Sequence, residues 1–200
     1  EGHLGGLEME QRKAPAYEGY ARLLKVVQAL EQAKVRVDEV VTSGTPAFPL
    51  ALAYPGFREA SFTHRVSAGT IVFNDAHSLA QLPAAYGYRP AVLVIASVVS
   101  RPAPNRITCD AGHKAVSADA GVPTCVVLGY PALRPQKPSE EHLPIEVPDG
   151  CPAPELGERL YLLPRHVCPT VNNFEHVLII RAGKVQGVER VTARGREAPL

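Results

Sequence analysis

His166 and Cys168 stand one residue apart in the stretch LPRHVCPTVNNFEH, residues 163–176, and Pro169 follows at once. Imidazole and thiolate are both ligands for zinc and similar divalent ions. If the YLLPRHVC run is a strand, residues i and i+2 project from one face, and both side chains can reach one ion. Structural zinc sites close their shell with four protein ligands. No second Cys or His pair of ligand spacing is visible, so an ion held here is expected to be open and of the catalytic kind. The plainer reading is that His166 caps a strand end by hydrogen bonding and Cys168 is a small buried hydrophobe.

Two small-residue loops form a second candidate. Ser43 to Thr45 (SGT) and Ala68 to Thr70 (AGT) each follow a β-branched run and combine a glycine with hydroxyls. Such turns expose backbone N–H groups that can hold a phosphate, and taken singly they are also ordinary turns. The lysines offer less. Lys25 and Lys34 fall in a helical stretch as solvated side chains, and Lys114 in DAGHKAVS reads as structural. Cys109, Cys125 and Cys151 read as core or loop residues.

The elements that must position these groups change character along the chain. YEGYARLLKVVQALEQAK, residues 17–34, places Leu23, Val27 and Leu30 at helical spacing, which predicts an amphipathic helix. A strand is expected from Val35 to Thr42, and ASFTHRV predicts a second before the turn at 68–70. Helix, strand and loop in that order form an α/β unit over residues 1–88. From residue 89 to 200 short β-branched runs divided by Pro, Gly and Asp predict a β domain, with PALRPQKPSEEHLP and VPDGCPAP as loops.

The 200 residues are 46% hydrophobic with a formal net charge of +1, which indicates neither a basic nucleic-acid surface nor an acidic tail. No apolar run approaches the roughly 18 residues of a membrane span, and no signal-peptide pattern opens the chain. A cytoplasmic protein without nucleic-acid or membrane partners is expected. The four cysteines form no CxxC pair, which favours thiols over a disulfide framework. The chain opens with Glu1 rather than Met and has no strand before it, so a later part of a longer protein, or a processed product, is expected.

In order, GHLGG, VTSGTPAF, SAGTIVFNDA, CDAGHKAVSADAG, SEEH and LPRHVCPTVN resemble the metal-activated D-serine dehydratase and D-threonine aldolase family, pyridoxal-phosphate enzymes related in fold to alanine racemase. The most specific piece is HVCPTVN. The resemblance implies an N-terminal (β/α)8 TIM barrel that holds pyridoxal 5'-phosphate and a mainly β C-terminal domain that carries the metal, in a homodimer. This chain then corresponds to the C-terminal part of the barrel followed by the β domain. By the same resemblance Gly44, Thr45, Gly69 and Thr70 fall on the cofactor-phosphate loops, and His3 on the cofactor side of a barrel strand. His166 and Cys168 fall on the two ligands of a divalent metal, zinc or manganese. The lysine that bonds the cofactor belongs to the first barrel strand, which lies before Glu1, and no lysine present matches its motif. A half barrel exposes open strand edges, so the chain is expected to need the missing half.

The implied substrate is a D-3-hydroxy amino acid whose 3-hydroxyl meets the metal. Dehydration of D-serine, D-threonine or D-threo-3-hydroxyaspartate gives a 2-oxo acid and ammonia, whereas aldol cleavage gives glycine and an aldehyde. In the resembled family the dehydratases carry His and Cys at the metal and aldolases tend to carry His and Asp, so Cys168 favours dehydration. Aldol cleavage is the alternative, and a non-catalytic pyridoxal-phosphate carrier or truncated inactive fragment the third reading. Racemisation is disfavoured, because Ser67 stands where alanine racemases place an Arg.

Overall fold

The computed structural model describes residues 2–195, so Glu1 and residues 196–200, the outer ends of the two expected domains, lie outside the described residues. The chain divides after Arg89 into two compact units.

In the first unit a 3-10 turn at Gly2–Gly6 leads into α1, Met9–Gln32. Helix α1 begins eight residues before the expected start because Glu8 and Gln11 form a capping box, which satisfies amides left open at a helix N-terminus. Pro15 is accommodated inside it, and Lys34, at φ 61°, turns the chain out past its C-terminal end. The expected strand from Val35 shortens to β1, Glu39–Thr42, which pairs in parallel with β2, Thr63–Val66. Its length is set by the four residues of its partner, since a strand persists only where its amides are paired. Between them lie the short helices α2, Phe48–Ala53, and α3, Pro55–Arg58, and after them α4, Ala76–Gln81, capped by Asp75. The core is aromatic: Tyr20, Phe57 and Phe62 are buried beside Leu4, Val27 and Val40, and His64 stacks on Phe57 with ring centroids 4.1 Å apart. The α/β character is present, but among the described residues its sheet has two strands, not a barrel.

Arg12 is 3% exposed and ties this unit together. Its guanidinium donates to the carbonyls of Leu7 at 2.6 Å, Pro46 at 2.8 Å and Gly5 at 3.3 Å, fastening the GHLGG turn to the SGTP loop. Arg12→Met keeps the apolar stem and deprives three carbonyls of their donor. It is expected to lower stability by about 3 kcal/mol, read from urea unfolding; an unchanged midpoint shows that the guanidinium is dispensable.

The second unit contains β3 (Val94–Ala103), β4 (Arg106–Cys109), β5 (Cys125–Leu128), β6 (Arg134–Pro135), β7 (Leu143–Glu146) and β8 (Arg159–Pro164). They form one antiparallel sheet in the order β5-β8-β3-β4-β7-β6, and its edge strands β5 and β6 approach each other, so it nearly closes into a barrel. Alternation along the strands puts Val94, Ala96, Val98, Ile107, Val127, Ile145, Leu160 and Leu162 into one core. The Pro-rich stretch expected as loop supplies β6 and β7, because Pro144 still accepts at its carbonyl, from Gln136 N–H at 2.8 Å. After β8 comes a short helix α5, Val167–Val171, then a hairpin of β9, His176–Arg181, and β10, Lys184–Arg190. Its turn uses Ala182 at φ 49° and Gly183 at φ 72°, the left-handed pair that a two-residue hairpin favours. Among the described residues no helix is long and apolar enough to cross a membrane.

Candidate functional site

The two small-residue loops lie side by side because the strands they follow are parallel neighbours, with Thr42 paired to Val66. The Ser67 amide donates to the carbonyls of both Thr42, at 3.0 Å, and Ser43, at 2.9 Å, which fastens one loop to the other. Ser43 adopts φ 56°, and its hydroxyl is joined at 2.8 Å to the buried Tyr20 hydroxyl. On β1, Thr42 Oγ1 meets Nε2 of His64 at 2.8 Å, and burial lowers the His64 pKa, favouring the neutral ring. The edge beyond the carboxyl ends of parallel strands is where open α/β sheets bind ligands. An open cleft of about 860 Å³ lies instead at the other end of β1 and β2, where Arg36, Asp38 and Ser61 line it.

The first loop leaves hydrogen-bond donors without protein acceptors among the described residues. Thr45 is 5% exposed, yet its Oγ1 has no hydrogen-bond partner among the described residues. Nor have the Gly44 and Thr45 amides an acceptor among them. A buried unsatisfied hydroxyl costs about 1–3 kcal/mol, a cost that a phosphate oxygen removes. The second loop contributes differently from expectation, since the Gly69 amide is already turned onto the Ser67 carbonyl at 3.2 Å. A Cβ at Gly69 would meet nothing within 4 Å, so this loop leaves open space, and Thr70 begins a 3-10 turn that runs into Asn74. Asn74 is buried at φ 51° with its Oδ1 unpartnered, but as an acceptor that oxygen cannot hold a phosphate. His3 departs from its expected strand: it sits in the 3-10 turn Gly2–Gly6 with its side chain exposed.

In the second unit the expected strand geometry of His166 and Cys168 is overturned. Strand β8 ends at Pro164, His166 is the N-cap of α5 with φ −131° and ψ 111°, and Cys168 lies in the first turn of that helix. Pro169 causes the change, since a proline fits the first helical turn, where its missing N–H is not needed. His166 is 35% exposed at its side chain and Cys168 is exposed, so the imidazole does not fill a core and Cys168 is no buried hydrophobe. Among the described residues no group of three or more His, Cys, Asp or Glu is placed to hold a metal, so these two side chains offer at most a two-ligand, open set.

Sequence reasoning missed Asp119. Its Oδ2 lies 2.6 Å from Nδ1 of His166, and its Oδ1 accepts from the Ser117 hydroxyl at 2.8 Å. Desolvation pushes the Asp119 carboxyl up, but its hydrogen bonds to His166 and Ser117 outweigh this and hold it below the ordinary carboxylate value. A carboxylate only accepts, so Nδ1 carries the proton and Nε2 is the ring nitrogen with a lone pair for a metal. The Ser-x-Asp spacing of SADAG was the available signal, and nothing local pointed from it to a histidine 47 residues on.

The other candidates are inert. Lys114 is paired with Glu141 at 2.8 Å and Glu140 at 3.0 Å, and the hydrogen bonds it donates to these carboxylates raise its pKa to about 12, so it stays protonated at neutral pH. Burial pushes the Cys109 and Cys125 thiols up to about 12, away from the thiolate form a metal requires.

Residues 91–180 match the family model described as "Putative serine dehydratase domain". The chain is 30% identical over 169 residues to a D-threonine aldolase from Arthrobacter sp, covering 84% of this chain and 42% of that protein. Its fold matches the crystal structure of D-threonine aldolase from Filomicrobium marinum with a TM-score of 0.81 and 28% identity, over 95% of this chain and 50% of that one. The chain is similar to the D-serine dehydratase and D-threonine aldolase family along most of its length. A further structure from this family, D-threo-3-hydroxyaspartate dehydratase from Delftia sp. HT23, matches with a TM-score of 0.75 and 26% identity over 98% of this chain and 55% of that one. The chain thus spans about half the length of the family members it matches. The serine dehydratase match contains Gly112, Asp119, His166 and Cys168, whereas both small-residue loops lie before it.

Proposed function

We propose that this chain holds the cofactor phosphate and the metal in a pyridoxal-phosphate- and metal-dependent lyase acting on D-3-hydroxy amino acids. The observation that carries the reading is the buried, unpartnered Thr45 Oγ1 in a loop at the carboxyl end of the parallel pair β1 and β2. When bound, the cofactor supplies an electron sink for charge at the substrate's Cα, and a divalent ion supplies Lewis acidity at its 3-hydroxyl. The chain's own residues bind and orient. Thr45 donates its hydroxyl to the phosphate, beside the amides of Gly44 and Thr45, while Gly69 and Thr70 bound the space from the neighbouring loop. His166 through Nε2 and Cys168 through Sγ hold the ion, zinc or manganese, and leave its other positions open. The lysine that bonds the cofactor is assigned to no residue of this chain, and the loops and strands of the first unit are the part of a TIM barrel that the proposal calls for. The same proposal makes the protein a cytoplasmic homodimer, and the buried thiols of Cys109 and Cys125 suit a reducing compartment.

Within this class, dehydration to a 2-oxo acid and ammonia is the first choice, on Cys168 as second ligand. Aldol cleavage is the second reading, favoured by the names of the Arthrobacter and Filomicrobium relatives. The complete reading frame, supplied with pyridoxal phosphate, zinc or manganese, and D-threonine, separates them. Formation of 2-oxobutanoate and ammonia establishes dehydration, and glycine with acetaldehyde establishes cleavage. Neither product, with no cofactor retained, leaves the non-catalytic reading.

Thr45→Val tests the phosphate loop. The methyl replaces a hydroxyl that has no protein partner, so the cofactor-free fold is expected to keep or gain stability. Cofactor affinity is expected to fall about 10- to 100-fold, the worth of a hydrogen bond to a charged group. Unchanged affinity removes Thr45 from the site.

A further inference from the structure

A closed circuit of hydrogen bonds joins the SADAG segment to the HVCPT segment. The Ser117 hydroxyl donates to Asp119 Oδ1 at 2.8 Å, and Asp119 Oδ2 meets His166 Nδ1 at 2.6 Å. The Thr170 hydroxyl donates to the His166 carbonyl at 2.8 Å, and the Ser117 amide donates to Thr170 Oγ1 at 3.1 Å, which closes the ring. Thr170 is 1% exposed and both its donor and acceptor capacities are used, so the circuit is anchored in the protein interior. The ring of His166 is therefore held by Asp119 and its carbonyl by Thr170, and Ser117 ties these two residues together.

We propose that Asp119, braced by Ser117 and Thr170, is a positioning residue of the metal site that sets the tautomer and orientation of His166. The proposal rests on the reading of His166 and Cys168 as metal ligands. A histidine at a helix N-cap with a half-exposed side chain rotates about two bonds and exchanges its proton between two nitrogens. Fixing Nδ1–H against a carboxylate leaves Nε2 as the bare nitrogen, removes the cost of ordering the ring when an ion arrives, and makes the ring a stronger donor. Asp119 does this from behind the histidine. Each of its oxygens is engaged within the circuit, which distinguishes a brace from a third ligand.

The test uses zinc and manganese themselves, titrated in competition with a chromophoric chelator, on the unaltered protein and on Asp119→Ala, Asp119→Asn and His166→Ala. Nitrogen-15 imidazole spectra of the metal-free proteins report the tautomer independently of turnover. Asp119→Ala is expected to weaken metal affinity about 10- to 100-fold and to move His166 from the Nδ1–H tautomer toward the Nε2–H form. Asp119→Asn keeps an acceptor and is expected to fall between Asp119→Ala and the unaltered protein in both readouts. Wild-type affinity and tautomer in Asp119→Ala, with metal lost in His166→Ala, overturn the positioning role alone. Metal retained in His166→Ala overturns the metal-site reading on which it rests. Affinity lost as completely in Asp119→Asn as in His166→Ala, with the tautomer unmoved, makes Asp119 a ligand and likewise overturns the brace.

Discussion

With His166 replaced by alanine, the protein is expected to lose metal affinity by at least about 100-fold, equal to ~2.7 kcal/mol, and metal-dependent turnover with it, while its folding stability stays nearly unchanged. The separation of the two effects follows from where the residue sits. Its backbone is extended, at φ −131° and ψ 111°, a conformation open to any residue, and its side chain is 35% exposed. The ring gives up one hydrogen bond, to an Asp119 that is itself 45% exposed and can turn to water. Against that small structural loss stands, in the proposed site, one ligand of only two, and an ion held by a single exposed thiolate is held weakly. Cys168→Ala is expected to behave alike, since Cys168 is exposed. The checks are chelator competition for affinity, thermal unfolding for the fold, and the absorbance of bound cofactor, which is expected to persist in both variants. Loss of cofactor together with metal would sink the division of labour between the two units.

Gly112→Ala is expected to destabilise the second unit by more than about 3 kcal/mol, beyond the usual range for overpacking. A Cβ there would lie 2.2 Å from the carbonyl oxygen of Glu140, 2.4 Å from its carbon and 2.5 Å from the amide of Glu141. These are backbone atoms, which cannot rotate aside. Three successive amides stitch the segments together at this point: Gly112 to Glu141 at 3.0 Å, His113 to Ser139 at 2.9 Å and Lys114 to Glu140 at 3.1 Å. Relief of the overlap therefore breaks hydrogen bonds. The glycine is required by close approach and not by its backbone angle, which is outside the left-handed region. The damage is expected to reach the Asp119–His166 pair as well, because residues 112–116 lead directly to Ser117 and Asp119. Urea unfolding measures the first effect and zinc titration at low denaturant the second; a midpoint within experimental error of the unaltered protein would show that the segments separate freely.

The residues themselves made much of this legible. Short β-branched runs divided by Pro, Gly and Asp mark the β domain that contains β3, β5 and β8. The run from Tyr17 marks most of α1. His166 and Cys168 stand out because metal ligands are few in type. Two failures of the local reading had local causes, the capping box at Glu8 and Gln11 and the proline at 169, and in two others a contact from elsewhere had the deciding voice. The run beginning at Val35 is strand only over the four residues that β2 covers, and the proline-rich stretch becomes β6 and β7 because β4 lies alongside.

The sequence by itself determined most of α1, the α/β character of the first unit and the β character of the second, where glycines and hydroxyls gather into loops, and which two side chains suit a metal. Each of those depends on neighbours within a few residues, through propensity, capping and turn geometry. Only the tertiary structure decided that the two loops adjoin, that Thr45 Oγ1 is buried without a partner, that Gly112 touches the backbone of Glu140, and that Asp119 grips His166 across 47 residues. Such pairings are chosen by the packing of the whole chain, where long loops close only when burial and hydrogen bonding together outweigh the entropy lost. No local pattern records that balance.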